Sequence, residues 1–121
     1  MAHILLAEDD DSMRQFLTLA LERAGHSVMA KKDGIEALEA LDDKEAGYAL
    51  LLTDIVMPGM DGIELAQRAT EKCPTLKVMF ITGFAAVAMS ANNAGQTKAR
   101  VLSKPFHLND LVSQVETLLA A

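Results

Sequence analysis

Tryptophan is missing from this chain, cysteine and tyrosine occur once each, proline three times, and aromatic residues make up only 4% of 121 positions. A single cysteine, Cys73, cannot form an internal disulfide. Long apolar runs are missing too: crossing a bilayer takes roughly 18 residues, and the candidates here are strand-length pieces such as Val78 to Ile81. The opening MAHILLAEDD lacks the extended apolar core of a secretory signal, so no membrane association and a cytoplasmic location are expected. Basic residues are in deficit, 11 Lys and Arg against 17 Asp and Glu, and the net charge of -6 would repel a nucleic-acid backbone. The chain has no P-loop, no dinucleotide glycine pattern, no HExxH and no GxSxG. His3, His26 and His107 show no metal-ligand spacing and are expected at the surface or at caps.

What is present is apolar patterning, with half of the residues hydrophobic, enough for one compact domain with no room for an output domain. Short apolar runs recur at Ile4 to Ala7, Val28 to Ala30, Leu50 to Leu52, Val78 to Ile81 and Val101 with Leu102, which predicts five strands. Between them lie segments of helical period. Met13, Phe16, Leu17, Ala20, Leu21 and Ala24 share one helix face, and so do Leu108, Leu111, Val112, Val115, Leu118 and Leu119. Asp33-Gly-Ile-Glu36 and Asp61-Gly-Ile-Glu64 carry one capping signature, in which the Asp caps and the Glu can reach back. Gly25 closes the first helix in the left-handed conformation that a missing Cβ permits. Strands alternating with helices imply an α/β fold with a parallel sheet covered on both faces. Ala85 to Arg100 fits poorly; it predicts a short or mobile fourth helix, with Met89 near the switch surface. Met13, Met29 and Met79 are expected to fill the core, and Cys73 to pack on the third helix.

Polar residues fall just past the predicted strands: Glu8 and Asp9 after the first, Asp54 after the third, Thr82 after the fourth, Lys104 after the fifth. In open α/β sheets, ligands bind outside the carboxyl ends of strands. Three carboxylates meeting there would repel, and a hard divalent cation such as Mg²⁺ relieves that repulsion while leaving positions open for phosphoryl oxygens. A carboxylate can itself attack phosphorus to give an acyl phosphate, and Asp54 is the best-placed nucleophile. Lys104 would then face the phosphoryl oxygens, and the Thr82 hydroxyl could bond to another of them. Asp10 and Asp11 read more simply as a solvated loop, with Asp11 capping the first helix.

Glu8-Asp9, the stretch Thr53-Asp54-Ile55-Val56-Met57-Pro58-Gly59-Met60-Asp61-Gly62, Thr82-Gly83 and Lys104-Pro105-Phe106 resemble, in order, the motif set of response-regulator receiver domains. The resemblance spans essentially the whole chain. It implies a doubly wound, flavodoxin-like (βα)5 sheet with strand order 2-1-3-4-5 and a cis bond before Pro105. It also implies Asp54 as phosphoacceptor and Thr82 with Lys104 as the switch pair. Mg²⁺ would be held by Asp9, Asp54, the Val56 backbone carbonyl and, through water, Glu8. Many receivers place an aromatic three residues before the lysine, where this chain has Val101, so the coupling surface is left open.

The segments ILLAEDD, LLTDIVMPGMDGIELAQRAT, FITGFAAVA and VLSKPFHLNDLV more narrowly resemble single-domain regulators of the CpdR type. That resemblance implies a histidine kinase or histidine phosphotransferase as donor, and an adaptor role toward the ClpXP protease in which the unphosphorylated form is active. The ending Leu119-Ala120-Ala121 resembles a tail that ClpX recognises; a frayed helix end is the plainer alternative. A monomer is expected. A phosphate shuttle or sink, or the receiver of a hybrid histidine kinase, would share the same site. A metal-dependent phosphohydrolase is disfavoured, because Val56 stands where a second acid could serve as base.

Overall fold

The computed structural model describes residues 2–83 and 100–121. Along them run β1 (His3–Ala7), α1 (Asp11–Arg23), β2 (Ser27–Lys31), α2 (Gly34–Ala40), β3 (Leu50–Asp54), α3 (Gly62–Lys72), β4 (Lys77–Thr82), β5 (Arg100–Ser103) and α4 (Leu108–Ala120). The five strands form one parallel sheet in the order β2-β1-β3-β4-β5, the doubly wound topology that the resemblance implied. The helix predicted over Ala85 to Arg100, with Met89, lies outside the described residues except for Arg100, which opens β5.

Side chains alternate across a strand, so each central strand feeds two cores. Leu5, Ala7, Leu51, Val78 and Phe80 pack with Ala37, Leu41, Leu65, Ala66 and Ala69 beneath α2 and α3. Ile4, Leu6, Leu50, Leu52, Met79 and Ile81 pack with Leu17, Leu21, Leu111, Val115 and Leu118 beneath α1 and α4. Both faces of β1, β3 and β4 are thereby dry, which is why these strands read as unbroken apolar runs.

Asp33 and Asp61 cap α2 and α3, each accepting a 2.8 Å bond from the amide three residues on. The return half of the capping box is replaced: the Glu36 carboxylate faces Lys32 at 3.6 Å and that of Glu64 faces Arg68 at 3.0 Å. Helix α1 ends on Gly25 at φ +99. There the Gly25 amide donates to Glu22 and the His26 amide to Leu21, the paired bonds that satisfy terminal carbonyls. The Lys104–Pro105 bond is cis.

Four expectations need correction. Asp10, not Asp11, caps α1: its backbone is extended and its carboxylate accepts from the Met13 amide at 2.9 Å, while Asp11 begins the helix and pairs with Arg14. Phe16 is 47% exposed, because the α1 face that meets the sheet is centred on Leu17 and Leu21 and a residue turned about 100° from it falls at the margin. Met29 is 38% exposed on β2, an edge strand whose outer flank has no neighbour in the sheet. His26 is buried: its Nδ1 accepts from the Ala2 amide at 3.1 Å, and its Nε2 lies 3.4 Å from Glu116 of α4 without a hydrogen bond. Cys73 packs beside the α2–α3 core at the end of α3, as expected. Among the described residues, no helix is long and apolar enough to cross a membrane.

The depth of this packing sets a contrast that urea unfolding can measure. Leu51→Ala, at a fully buried position, is expected to cost about 2–5 kcal/mol. Phe16→Ser, at a residue 47% exposed, should cost less, about 1 kcal/mol, because only part of its ring is covered.

Candidate functional site

Register, more than sequence distance, assembles this site. Ala7 lies opposite Thr53 in the β1–β3 pair, so the next residues, Glu8 and Asp54, come side by side at the carboxyl edge. Thr82 lies opposite Ser103 in the β4–β5 pair, and the Lys104 amide bonds to the Thr82 carbonyl at 2.7 Å. Asp54 and Thr82 are the last residues of β3 and β4 rather than the first beyond them. The ladder outruns the apolar runs by a residue or two, since the Ile55 amide still reaches the Ile81 carbonyl at 3.1 Å.

One carboxylate oxygen from each of Glu8, Asp9 and Asp54 lies within 4.8 Å of the other two. Glu8 is fully buried, Asp54 nearly so, and Asp9 is exposed to solvent. The Lys104 ammonium reaches in from β5, 3.3 Å from Asp54 Oδ2 and 3.6 Å from Glu8 Oε1. Thr82, with no exposed surface, ends the intervening strand on the same edge. Val56 follows Asp54 by two residues in the loop toward α3, its side chain half in solvent.

Burial pushes the Glu8 carboxyl up to about 7; the bond from the Asp10 amide opposes this, neighbouring Asp54 adds to it, and Lys104 opposes it again. At Lys104 burial works against the ammonium, but Glu8 and Asp54 outweigh it and hold the pKa above the usual lysine value. Glu8 Oε1 is buried with no hydrogen-bond partner, the ammonium being too distant for one. An orphaned, dry carboxylate oxygen among two further carboxylates is what a hard cation would fit.

Two contributors escaped the sequence reading. Arg14 donates to the Glu8 carbonyl at 2.9 Å, and the Asp10 amide donates to Glu8 Oε2 at 3.2 Å, so the start of α1 grips the acidic loop. Position i+6 on the following helix was the available signal for Arg14, and nothing in composition singles it out. The tail lies elsewhere. Lys77, the first residue of β4, donates to the carbonyls of Leu118, Leu119 and Ala121, and Leu119 packs against the core beneath α4. These bonds place the last turn at the edge of the sheet opposite the acids.

Residues 4–116 match the family model of the response regulator receiver domain. The chain belongs to that family. This receiver is 59% identical over 121 residues to the response regulator receiver protein CpdR of Brucella abortus (strain 2308), a match covering 100% of this chain and 99% of that one. Its fold is similar to the crystal structure of a response regulator receiver protein from Sinorhizobium medicae WSM419, with TM-score 0.90, 31% identity and coverage of 99% and 95% of the two chains. It is similar as well to the receiver domain of the hybrid histidine kinase CckA, with TM-score 0.83, 32% identity and coverage of 97% and 98%. Receivers of two-component systems, CpdR among them, are thus its relatives.

The raised pKa of Glu8 makes the receiver's stability depend on pH in a stated direction. The folded chain holds the Glu8 proton more tightly than the unfolded one, so this contribution is complete below the ordinary value of 4.5 and is lost as pH rises through about 7. In chelator-treated buffer Glu8→Gln should therefore be more stable than wild type at pH 8, by on the order of 2 kcal/mol, with the gap closing toward pH 4.5. Denaturant midpoints across that range check it; a gap that does not vary with pH rejects the burial argument.

Proposed function

We propose that this receiver is a phosphorylation switch with Asp54 as the acceptor. The observation that carries the proposal is the Lys104 ammonium, held 3.3 Å from Asp54 and 3.6 Å from an otherwise unpartnered Glu8 oxygen. An Asp54 oxygen attacks the phosphorus of a phosphohistidine on a histidine kinase or histidine phosphotransferase. The new O–P bond replaces the donor's P–N bond, and the freed imidazole nitrogen takes up a proton. Asp9, Asp54, the Val56 carbonyl and, through water, Glu8 would hold Mg²⁺, which would neutralise charge on the transferred group. Lys104 pairs with one phosphoryl oxygen and the Thr82 hydroxyl donates to another. With apolar Val56 two residues beyond Asp54, the chain offers no base there for rapid hydrolysis, so the acyl phosphate is a state of the protein rather than a turnover intermediate. The reading is of a switch, not an enzyme.

The output we propose is partner binding by a monomeric, cytoplasmic receiver. Resemblance to CpdR-type regulators, and 59% identity to one of them, supports an adaptor for ClpXP whose unphosphorylated form engages the protease. Throwing such a switch from 1:99 to 99:1 requires about 5.5 kcal/mol of differential stabilisation. Similarity to the CckA receiver favours a second reading, in which the site relays or drains phosphoryl groups exchanged with a hybrid kinase.

Incubation with acetyl phosphate and Mg²⁺ should add one phosphoryl group by intact mass, with none on Asp54→Asn and none in excess chelator. Repeated phosphate release with no adduct would sink the switch in favour of a hydrolase. Immobilised ClpX should retain the unphosphorylated chain and release the phosphorylated one; equal capture of both states would leave the relay reading in place of the adaptor.

The tail is a separate proposal, that Leu119, Ala120 and Ala121 make the regulator itself a substrate of the protease. Replacing both Ala120→Asp and Ala121→Asp should lengthen its half-life in cells containing ClpXP, and an unchanged half-life rejects the idea.

A further inference from the structure

Gly62 opens α3, yet its place in the molecule is decided by the sheet. A Cβ built on it would stand 2.0 Å from the carbonyl oxygen of Asp54, 2.9 Å from the Asp54 carbonyl carbon and 2.9 Å from the Ile55 Cα. All three are backbone atoms and cannot swing aside as a flexible side-chain tip can. Gly25, Gly47 and Gly59 have positive φ; Gly62 does not, so it is required for the space it leaves and not for its torsion angles. Its amide donates to the Ile55 carbonyl at 2.8 Å, closing the loop that contains Val56. The neighbouring Asp61 caps the helix, which fixes the axis of α3 at this point.

We propose that Gly62 is a positioning residue for the Asp54 acceptor: its bare α-carbon lets the first turn of α3 rest on the Asp54 peptide group and so sets where the carboxylate lies relative to Lys104 and Glu8. The proposal rests on the reading of Asp54 as acceptor. Any side chain at position 62 must open a 2.0 Å contact to at least 3.0 Å, moving the Asp54 peptide or the helix by about 1 Å. Misplacing a reacting group by that amount can cost on the order of 100-fold in rate.

The test compares Gly62→Ala with Gly25→Ala, a control whose φ of +99 makes alanine strained but whose Cβ would meet nothing within 4 Å. Both variants should lose stability. Only Gly62→Ala should take up phosphoryl from acetyl phosphate on the order of 100-fold more slowly, and only it should shift the amide resonances of Asp54 and Ile55 in the metal-free protein. Uptake at the wild-type rate, a loss matched by the control, or unmoved Asp54 and Ile55 resonances would each overturn the proposal. Should Gly62→Ala fail to fold, the wild type supplies a reading of its own. Its Gly62 amide resonance should move together with that of Asp54 on phosphoryl uptake, and a stationary Gly62 beside a moving Asp54 rejects the coupling. If the wild type gains no phosphoryl group, the acceptor reading falls, and the metal-free resonances still judge the positioning role.

Discussion

Carboxylates are costly to bury unless a countercharge accompanies them, and this sheet buries Glu8 completely and Asp54 nearly so, with the Lys104 ammonium between them. That shared ammonium is the contact on which the site depends. Without it, adjacent strands would end in like charges whose repulsion the low-dielectric edge would amplify. Even with it the compensation is incomplete, as the displaced pKa of Glu8 records. Groups displaced in this way cluster at functional sites. The parallel topology makes the arrangement possible, since every strand presents its carboxyl end on the same edge.

Periodicity revealed the layers of this fold well and their margins poorly. The strands β1, β3 and β4 are dry on both faces, so their composition is nearly pure apolar and they are legible at sight. Met29 sits in an equally apolar segment, but a strand's position at the edge is a property of the assembled sheet and leaves no mark on the segment itself. Phe16 shows the same gap for a helix: an apolar residue near the border of a stripe can fall on either side of it, and only the docking angle decides. His26 looked like a surface residue because nothing local announces a partner 24 residues away at the amino end or a carboxylate on the last helix. The misassigned cap of α1 is a smaller error, since four consecutive acids offered several candidates and the backbone chose Asp10.

The polar positions at the edge were legible for a different reason. Glu8, Asp54, Thr82 and Lys104 interrupt or follow apolar runs, and a charge at the end of a buried strand is conspicuous without any knowledge of its neighbours. Arg14 and Gly62 were not, because each carries out a common local task. An arginine on a first helical turn and a glycine after a capping aspartate both have ordinary explanations. Their reach to the Glu8 carbonyl and the Asp54 peptide exists only once helix and sheet are docked. A sequence shows which residue types are unusual for their setting, and it is silent about ordinary residues in tight places.

Lys77 gives the opposite edge a mechanical character of its own. Its ammonium gathers the carbonyls of Leu118, Leu119 and Ala121, joining the end of α4 to the first residue of β4. The same strand is hydrogen-bonded to neighbours on both sides and ends in Thr82, so one element carries the anchorage of the last helix at its amino end and a polar residue of the acidic edge at its carboxyl end.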